Sequence, residues 1–277
     1  MSLLQLPHAR PAVLLFDWHA TLVDTMDAMY HAVDDVIPKL LEHGLVERLV
    51  PVADCKTVED AKLVKYVREH RRLHPKIKRD RKISRSDIFQ VLFGDDEHAR
   101  AQAHAIFDQA YRTHFGAVQP LEPDIRATLE EYRRLGLPLG VLSNRKREFM
   151  EVELAAVEQG RWQALFDTLV CGDDVEQRKP APDQILRALA ELKLPADTHC
   201  WYVGDSTTDV VAAKRAGVTA VFYNGAGWDQ AWIDKIFPDS PRHPHKPDAV
   251  VNDFRQLTEM VWSFWAQRPL SGLDPAG

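Results

Sequence analysis

The sequence predicts an α/β fold, a doubly wound parallel sheet that carries an inserted α-helical domain. Three observations predict it. Short apolar runs of strand length alternate with helical patterns along most of the 277 residues. One long segment interrupts this alternation and contains helical patterns without a strand. Polar residues follow several of the apolar runs, at the strand ends where such sheets bind their ligands.

The predicted strands are apolar runs of three or four residues, as expected for strands buried on both faces of a sheet. They lie at residues 13–16, 139–142, 169–171, 201–203, 220–223 and 249–251. Helical patterns with apolar residues at three- and four-residue spacing occupy residues 125–135, 147–158, 182–192, 208–216 and 254–266. Strands that alternate with helices indicate a parallel sheet with helices on both faces.

The interruption runs from residue 26 to residue 119, with helices predicted at 26–43, 58–74 and 96–115 and a polar loop at 74–86. Residues 26–119 are therefore predicted to form an α-helical cap domain, and residues 1–25 and 120–277 the sheet domain. The cap leaves the sheet directly after the first strand. We expect it to lie as a lid over that strand's carboxyl end.

Composition places the chain among soluble globular proteins, with 45% hydrophobic and 27% charged residues. The three cysteines are widely spaced, which argues against a disulfide framework or a thiolate zinc site. No apolar run approaches the length of a membrane span, and the N-terminus lacks a signal-peptide pattern. We expect a cytoplasmic protein with no membrane partner.

Charge is distributed unevenly along the chain. The basic stretch, residues 62–85, holds eleven Lys or Arg residues and two acidic ones, a local charge of +9 within a chain of net charge −6. Such a stretch is typical of a solvated surface, and alternatively of a patch that binds nucleic acid or another polyanion.

Residues suited to phosphoryl transfer follow the predicted strands. Asp17 follows the first, where a carboxylate can be a nucleophile and a metal ligand, although it could also cap a helix. Ser143 and Asn144 follow the second and could donate hydrogen bonds to phosphate, but both are ordinary turn residues. Lys179, before a helix, could neutralise charge in the transition state, or simply face solvent.

Two further carboxylates lie at a strand-to-helix turn. Asp205 and Asp209 follow the strand at 201–203, four residues apart. Hard oxygen ligands of this kind suit Mg²⁺, which is bound through one or two carboxylates and keeps several waters.

The order and spacing of these four segments resemble the haloacid dehalogenase superfamily, most of whose members are Mg²⁺-dependent phosphatases. The resemblance is strongest to the phosphoglycolate phosphatase-like branch, which has a Rossmann-like core and a helical cap between the first and second motifs. It implies that Asp17 forms an aspartyl-phosphate and that Ser143, Asn144 and Lys179 bind phosphate. It also implies a Mg²⁺ site formed by Asp17, the backbone carbonyl of His19, Asp205 and Asp209, the last through a water or by orienting Lys179.

The first motif departs from the pattern of these phosphatases. Their Asp-x-Asp-Gly-Thr is here Asp17-Trp18-His19-Ala20-Thr21, so the usual acid and the usual glycine are both replaced. His19 could replace the acid, because a histidine exchanges protons near neutral pH. Alternatively it is a structural polar residue, and the activity is changed or lost.

Other relatives resemble the chain less well. Dehalogenases share the aspartate nucleophile but need no Mg²⁺, whereas Asp205 and Asp209 preserve a metal site. Phosphonatases combine a small residue at this position with a cap lysine, and imidazole is not small.

The predicted function is hydrolysis of a small phosphate monoester. The rival hypothesis is a catalytically weak or inactive relative that binds nucleic acid, another polyanion or a protein through its basic cap.

Two tryptophan pairs complete the predictions. Trp228 and Trp232 lie in a Gly- and Pro-rich segment, where they indicate buried packing or an aromatic wall near the site. Trp262 and Trp265 of the last helix are predicted to be core residues.

Overall fold

The structure, a computed structural model, describes residue 7 and residues 9–80, 83–116, 118–241 and 244–266. Six parallel strands form the main sheet in the order β5-β4-β1-β6-β7-β8, which confirms the predicted fold class. Their bounds are β1 Val13–Asp17, β4 Leu139–Leu142, β5 Thr168–Val170, β6 Cys200–Gly204, β7 Thr219–Tyr223 and β8 Ala249–Val251. The central strand is therefore β1, the strand that ends on Asp17.

Helices cover both faces of this sheet. They are α6 Ile125–Arg134, α7 Arg147–Ala156, α8 Asp183–Leu192, α9 Thr207–Ala216, α10 Gln230–Ile236 and α11 Phe254–Ala266. One apolar cluster packs on the face that meets α6 and α11, and a second on the face that meets α8 and α9. Because both faces are buried, side chains at strand ends are the ones free to form a site.

A two-stranded antiparallel pair joins the sheet to the inserted helices. In it, β2 Val23–Asp24 pairs with β3 Gln119–Pro120. Between these strands lie α1 Met26–Glu42, α2 Val58–His70, α3 Pro75–Asp80, α4 Arg85–Phe93 and α5 Glu97–Tyr111. These helices pack around an apolar cluster of their own, which Phe149 of α7 joins. The division at residues 25/26 and 119/120 stays a prediction.

Two sequence predictions were wrong. The predicted loop at 74–86 contains α3 and the first residues of α4. Proline suits the first turn of a helix, where its missing N–H costs nothing, and α3 begins at Pro75. Ser84 caps α4 by accepting a hydrogen bond from the backbone N–H of Asp87. The predicted core residue Trp262 is 39% exposed and donates to Glu131, because it lies on the outer side of α11.

The structure also bears on membrane spans, on the cysteines and on the basic stretch. Within the described part, no helix is long and apolar enough to cross a membrane. Cys55, Cys171 and Cys200 are free thiols. The basic stretch is mixed in environment, because Lys62 and Lys65 are exposed whereas Arg85 at its end is buried.

Candidate active site

The strand ends bring the predicted residues to one cavity. Asp17 is the last residue of β1 and pairs in register with Leu142, so Ser143 follows beside it on the neighbouring strand. Asp205 follows β6, the other neighbour of β1. The cavity has a volume of about 50 Å³, and every predicted site residue lines it: Asp17, His19, Ser143, Asn144, Lys179, Asp205 and Asp209.

Lys179 lies at the centre of the site with its charge buried. Its Nζ donates to Asp17 Oδ1 at 2.6 Å, to Asp209 Oδ1 at 2.7 Å and to the Tyr202 hydroxyl at 2.7 Å. Burial alone would lower the pKa of Lys179, but Asp17 and Asp209 outweigh it and the pKa is raised. The ammonium therefore stays protonated, with all three protons directed by neighbours.

The backbone around Asp209 holds its carboxylate over the end of β6. Asp209 Oδ2 accepts from the Ser206 N–H and Ser206 Oγ accepts from the Asp209 N–H, the reciprocal capping box at the start of α9. Gly204 permits this approach, because a Cβ at that position would lie 2.5 Å from Asp209 Cβ. The geometry of Asp209 thus suits orientation of Lys179, one of its two predicted roles.

The side chain of Asn144 forms hydrogen bonds with the main chain of Lys179. Its Nδ2 donates to the Lys179 carbonyl and its Oδ1 accepts from the Lys179 N–H, both at 2.9 Å. These two bonds fix the loop that carries Lys179 and use one of the two N–H donors of the amide. Asn144 and the Ser143 hydroxyl both line the cavity, and their contacts to phosphate stay predictions.

Three carboxylates converge on the position predicted for a metal ion. Oxygen atoms of Asp17, Asp205 and Asp209 lie within 4.8 Å of one another. Burial raises the pKa of Asp17 to about 6, against the influence of Lys179, and Asp209 adds to the rise. Burial and then Asp17 and Asp209 raise the pKa of Asp205 well above its ordinary value.

These residues fit a divalent cation. The one ammonium of Lys179 cannot balance three ionised carboxylates, and Asp205 accepts no hydrogen bond from any residue that the structure describes. An all-oxygen set of this charge suits a hard cation such as Mg²⁺.

His19 lies in a buried polar network. Its Nδ1 is 2.6 Å from Thr25 Oγ1, and its Nε2 is 3.5 Å from Glu153 Oε2. Burial lowers the pKa of His19 well below its ordinary value, and Arg145, Arg85 and Lys179 lower it further. Burial and these three cations therefore favour the neutral form of the ring over the charged one.

The next residue has an unusual backbone. Ala20 replaces the glycine of the family motif and adopts φ 60°, in the left-handed region that favours glycine. Its N–H donates to the Val23 carbonyl at 2.8 Å, and this bond tightens the turn after β1.

Sequence reasoning missed several residues of this network. Glu153, on α7, is 1% exposed and accepts from Trp18 Nε1 at 2.9 Å, Tyr111 at 2.7 Å and Arg145 at 3.2 Å. Arg145 also stacks on the Tyr111 ring at 3.9 Å. A charged residue in an apolar helical pattern and an arginine directly after Ser143-Asn144 were the signals present.

The cavity has two walls. The core wall consists of Asp17, Lys179, Asp205 and Asp209 with their partners, and the cap wall of Met29, Ser84, Arg85 and Ser86. Arg85 of α4 was part of the basic stretch but was not predicted as a site residue. Burial lowers the pKa of its guanidinium to about 9, with Asp108 opposing this, and it stays charged at neutral pH.

A second cavity adjoins the first. It has a volume of about 360 Å³, shares Ala20 and Asp205 with the first, and is lined by Trp228. Trp228 and Trp232 stack with ring centroids 4.9 Å apart, and both are half-buried. The sequence predicted either buried packing or an aromatic wall for these two residues. Trp228 forms such a wall at this neighbouring cavity.

Comparison with known proteins identifies relatives with similar sequences. The phosphoglycolate phosphatase of Escherichia coli (strain K12) is 29% identical over 231 residues, 81% of this chain and 85% of that relative. That of Photorhabdus laumondii is 30% identical over 160 residues, 58% of this chain and 63% of that relative, so the match spans less than two thirds of its length.

A solved structure shares the fold, and a family model covers most of the chain. A haloacid dehalogenase superfamily hydrolase from Ehrlichia chaffeensis aligns with a TM-score of 0.54 at 14% identity, covering 92% of this chain and 98% of that chain. Residues 14–223 match the model of the haloacid dehalogenase-like hydrolases. The predicted resemblance and the predicted hydrolase class are both confirmed. The chain belongs to the haloacid dehalogenase-like hydrolase family.

Proposed function

We propose that the protein is a Mg²⁺-dependent phosphohydrolase that cleaves a small phosphate monoester through an aspartyl-phosphate on Asp17. The observation that carries the proposal is Lys179, whose buried ammonium bridges Asp17 and Asp209 beside the third carboxylate. The names of the two relatives described above, both phosphoglycolate phosphatases, support this substrate class.

The reaction has two displacements at phosphorus. An Asp17 carboxylate oxygen attacks the phosphorus, the bond from phosphorus to the alcohol oxygen breaks, and that oxygen takes up a proton. Water then attacks the phosphorus of the aspartyl-phosphate, which releases phosphate and restores Asp17. Lys179 and the Ser143 hydroxyl donate to the phosphoryl oxygens, where negative charge develops. Asn144 keeps Lys179 in place.

A Mg²⁺ ion would be held by Asp17, Asp205 and the His19 carbonyl, with Asp209 acting through a water or through Lys179. When bound, the ion neutralises phosphoryl charge and orients the group for in-line attack. The surplus negative charge of the three carboxylates supports this assignment.

His19 is proposed as the acid and base of both steps. The Thr25 hydroxyl, which lines the cavity, is 2.6 Å from His19 Nδ1. A proton can therefore pass through this hydroxyl between the ring and the alcohol or water oxygen. The ring accepts the proton of the attacking water and returns it to the departing alcohol in the next turnover.

The deciding experiment measures hydrolysis of phosphoglycolate and p-nitrophenyl phosphate by the purified protein, with Mg²⁺ and after treatment with a chelator. We expect turnover that needs the metal. Asp17→Asn should lower it by at least about 10⁴-fold, because an amide is a poor nucleophile. Asp234→Asn, an exposed position on α10, is the matched control and should keep full activity.

Rapid quenching with ³²P-labelled substrate should trap a phosphorylated protein that Asp17→Asn does not form. Absence of turnover in every condition, or full activity of Asp17→Asn, would overturn the proposal. The first of these results would favour the rival, a polyanion-binding relative. The cytoplasmic location stays a prediction.

A further inference from the structure

Where the cap meets the core, three cations surround a single carboxylate, that of Asp108. Asp108 of α5 is 1% exposed. Its oxygens lie 3.5 Å from Arg85 Nη1, 3.4 Å from Arg178 Nη2 and 3.9 Å from Lys146 Nζ. Three cations thus share one carboxylate, and none of the three contacts is short.

Arg85 is the cation among these that lines the cavity. Its side chain is 6% exposed, and its guanidinium stacks on the Phe107 ring at 4.5 Å. Apart from the long contact to Asp108, its N–H groups have no hydrogen-bond partner among the described residues. A buried guanidinium with unused donors is costly unless an anion completes its shell.

The other cationic side chains that line the cavity, Arg145 and Lys179, already have carboxylate partners. Arg145 donates to Glu153 and Lys179 is held by Asp17 and Asp209. The proposed function already assigns Lys179 and Ser143, on the core side, to the phosphoryl group that Asp17 attacks. The donors of Arg85 therefore remain for a different part of the ligand.

We propose that Arg85 binds a second anionic group of the substrate, so that the preferred substrate is a short phosphate ester that also carries a carboxylate or a second phosphate. This inference rests on the proposed function and names its substrate class. The planar guanidinium matches both groups, because each offers two oxygens to its parallel donors.

The position of Arg85 is fixed by a contact between cap and core. Two residues along α4, Asp87 accepts a hydrogen bond from the Thr207 hydroxyl at 2.9 Å, at the start of α9. Since α9 also carries Asp209, this bond sets α4 relative to the core wall. Arg85 thus acts as a specificity residue at a defined place.

The test compares substrates that differ only in the second anion. Phosphoglycolate is paired with 2-hydroxyethyl phosphate, and 1,3-propanediol bisphosphate with 3-hydroxypropyl phosphate. For at least one pair, wild-type kcat/KM should favour the ester with the second anionic group by about 10- to 100-fold, the value of a charged hydrogen bond. The pair that shows this preference distinguishes carboxylate from phosphate.

Variants assign the preference to Arg85. Arg85→Gln should remove most of the preference for the second anionic group. Arg85→Lys should retain part of this preference, since a lysine keeps the positive charge but lacks the two parallel N–H donors of the guanidinium. Arg72→Gln is the control, because Arg72 is an exposed arginine of the same basic stretch. It should leave the preference unchanged.

A binding measurement separates this inference from the proposed function. Calorimetry on Asp17→Asn, with and without Arg85→Gln, should show the same Arg85-dependent preference without turnover. If wild type hydrolyses none of these esters yet binding depends on Arg85 in this way, the proposed function fails and the subsite stands. Equal loss on both members of each pair, or an equal loss in Arg72→Gln, would overturn the subsite.

Discussion

The two walls of the cavity are built differently. On the core wall, the bonds from Lys179 to Asp17, Asp209 and Tyr202 are 2.6 to 2.7 Å long. Behind the cap wall, the contacts of Asp108 to its cations are 3.4 to 3.9 Å long. The core wall is thus organised by the protein's own bonds. The cap wall keeps unused donors, which is what a surface that selects substrates requires.

Among the variants that probe this comparison, we expect the largest loss of activity at His19, which lies between the two walls. His19→Ala should slow alkyl phosphates by about 10² to 10⁴-fold, because a poor leaving alkoxide needs a proton. Aryl phosphates with acidic phenols should be affected far less. Steady-state rates on matched alkyl and aryl esters measure the difference, and His19→Asp should retain activity. Equal losses on both ester types would make His19 structural.

The next effect concerns stability at the junction of the walls. Glu153→Gln should lower the free energy of unfolding by about 3 kcal/mol, because Arg145 is then buried without its carboxylate. Urea unfolding measures it. Glu151→Gln is the control, since Glu151 is an exposed residue of the same helix whose ion pair with Arg147 is 3.7 Å long. Similar shifts in both variants would show that the buried network contributes little.

A smaller effect is expected inside the core wall. Tyr202→Phe removes the hydroxyl that accepts from Lys179 and donates to Asp209 at 2.9 Å. We expect kcat to fall by about 10-fold with little change in KM, because the Lys179 ammonium loses one of the three hydrogen bonds that position it. Tyr132→Phe removes a buried hydroxyl bonded to Thr258, away from the cavity, and should leave kcat unchanged. An unchanged kcat in Tyr202→Phe would contradict this positioning role.

The smallest effect is expected at the turn below both walls. Ala20→Gly should raise the free energy of unfolding by about 0.5 kcal/mol, since relief of the left-handed conformation exceeds the added freedom of the unfolded chain. Ala105→Gly, at an exposed position inside α5, should lower it by about 0.5 to 1 kcal/mol. Thermal unfolding of both variants gives the sign. Destabilisation by Ala20→Gly would show that the turn is not strained.

The contrast between the walls also explains what could be predicted from the sequence. Asp17, Ser143 and Asp205 follow apolar runs, and a parallel sheet brings the ends of such runs to one edge. The core wall is therefore encoded locally. The hydrogen bonds of the core wall are harder to predict from the sequence. Those between the Asn144 side chain and the Lys179 main chain, for example, depend on how two loops meet.

The cap wall depends on packing that no local pattern encodes. Arg85 is one of eleven cations in the basic stretch, and only the approach of α4 to α5 buries it beside Asp108. Glu153 meets Trp18 and Tyr111 from segments far apart in the chain. The exposure of Trp262 likewise depends on the side of α11 that meets the sheet.

The short pairing of β2 with β3 has a consequence for how the chain folds. Strand β1 pairs with β4 across the whole insertion, Leu14 opposite Leu139, and closing so long a loop in an unfolded chain costs entropy. The inserted helices have their own apolar cluster, and their two ends meet at Asp24 and Gln119. If these helices assemble first, the segments left to close between β1 and β4 are residues 18–22 and 121–138. Early assembly of the insertion would then remove most of the entropic cost that its length imposes on the central sheet.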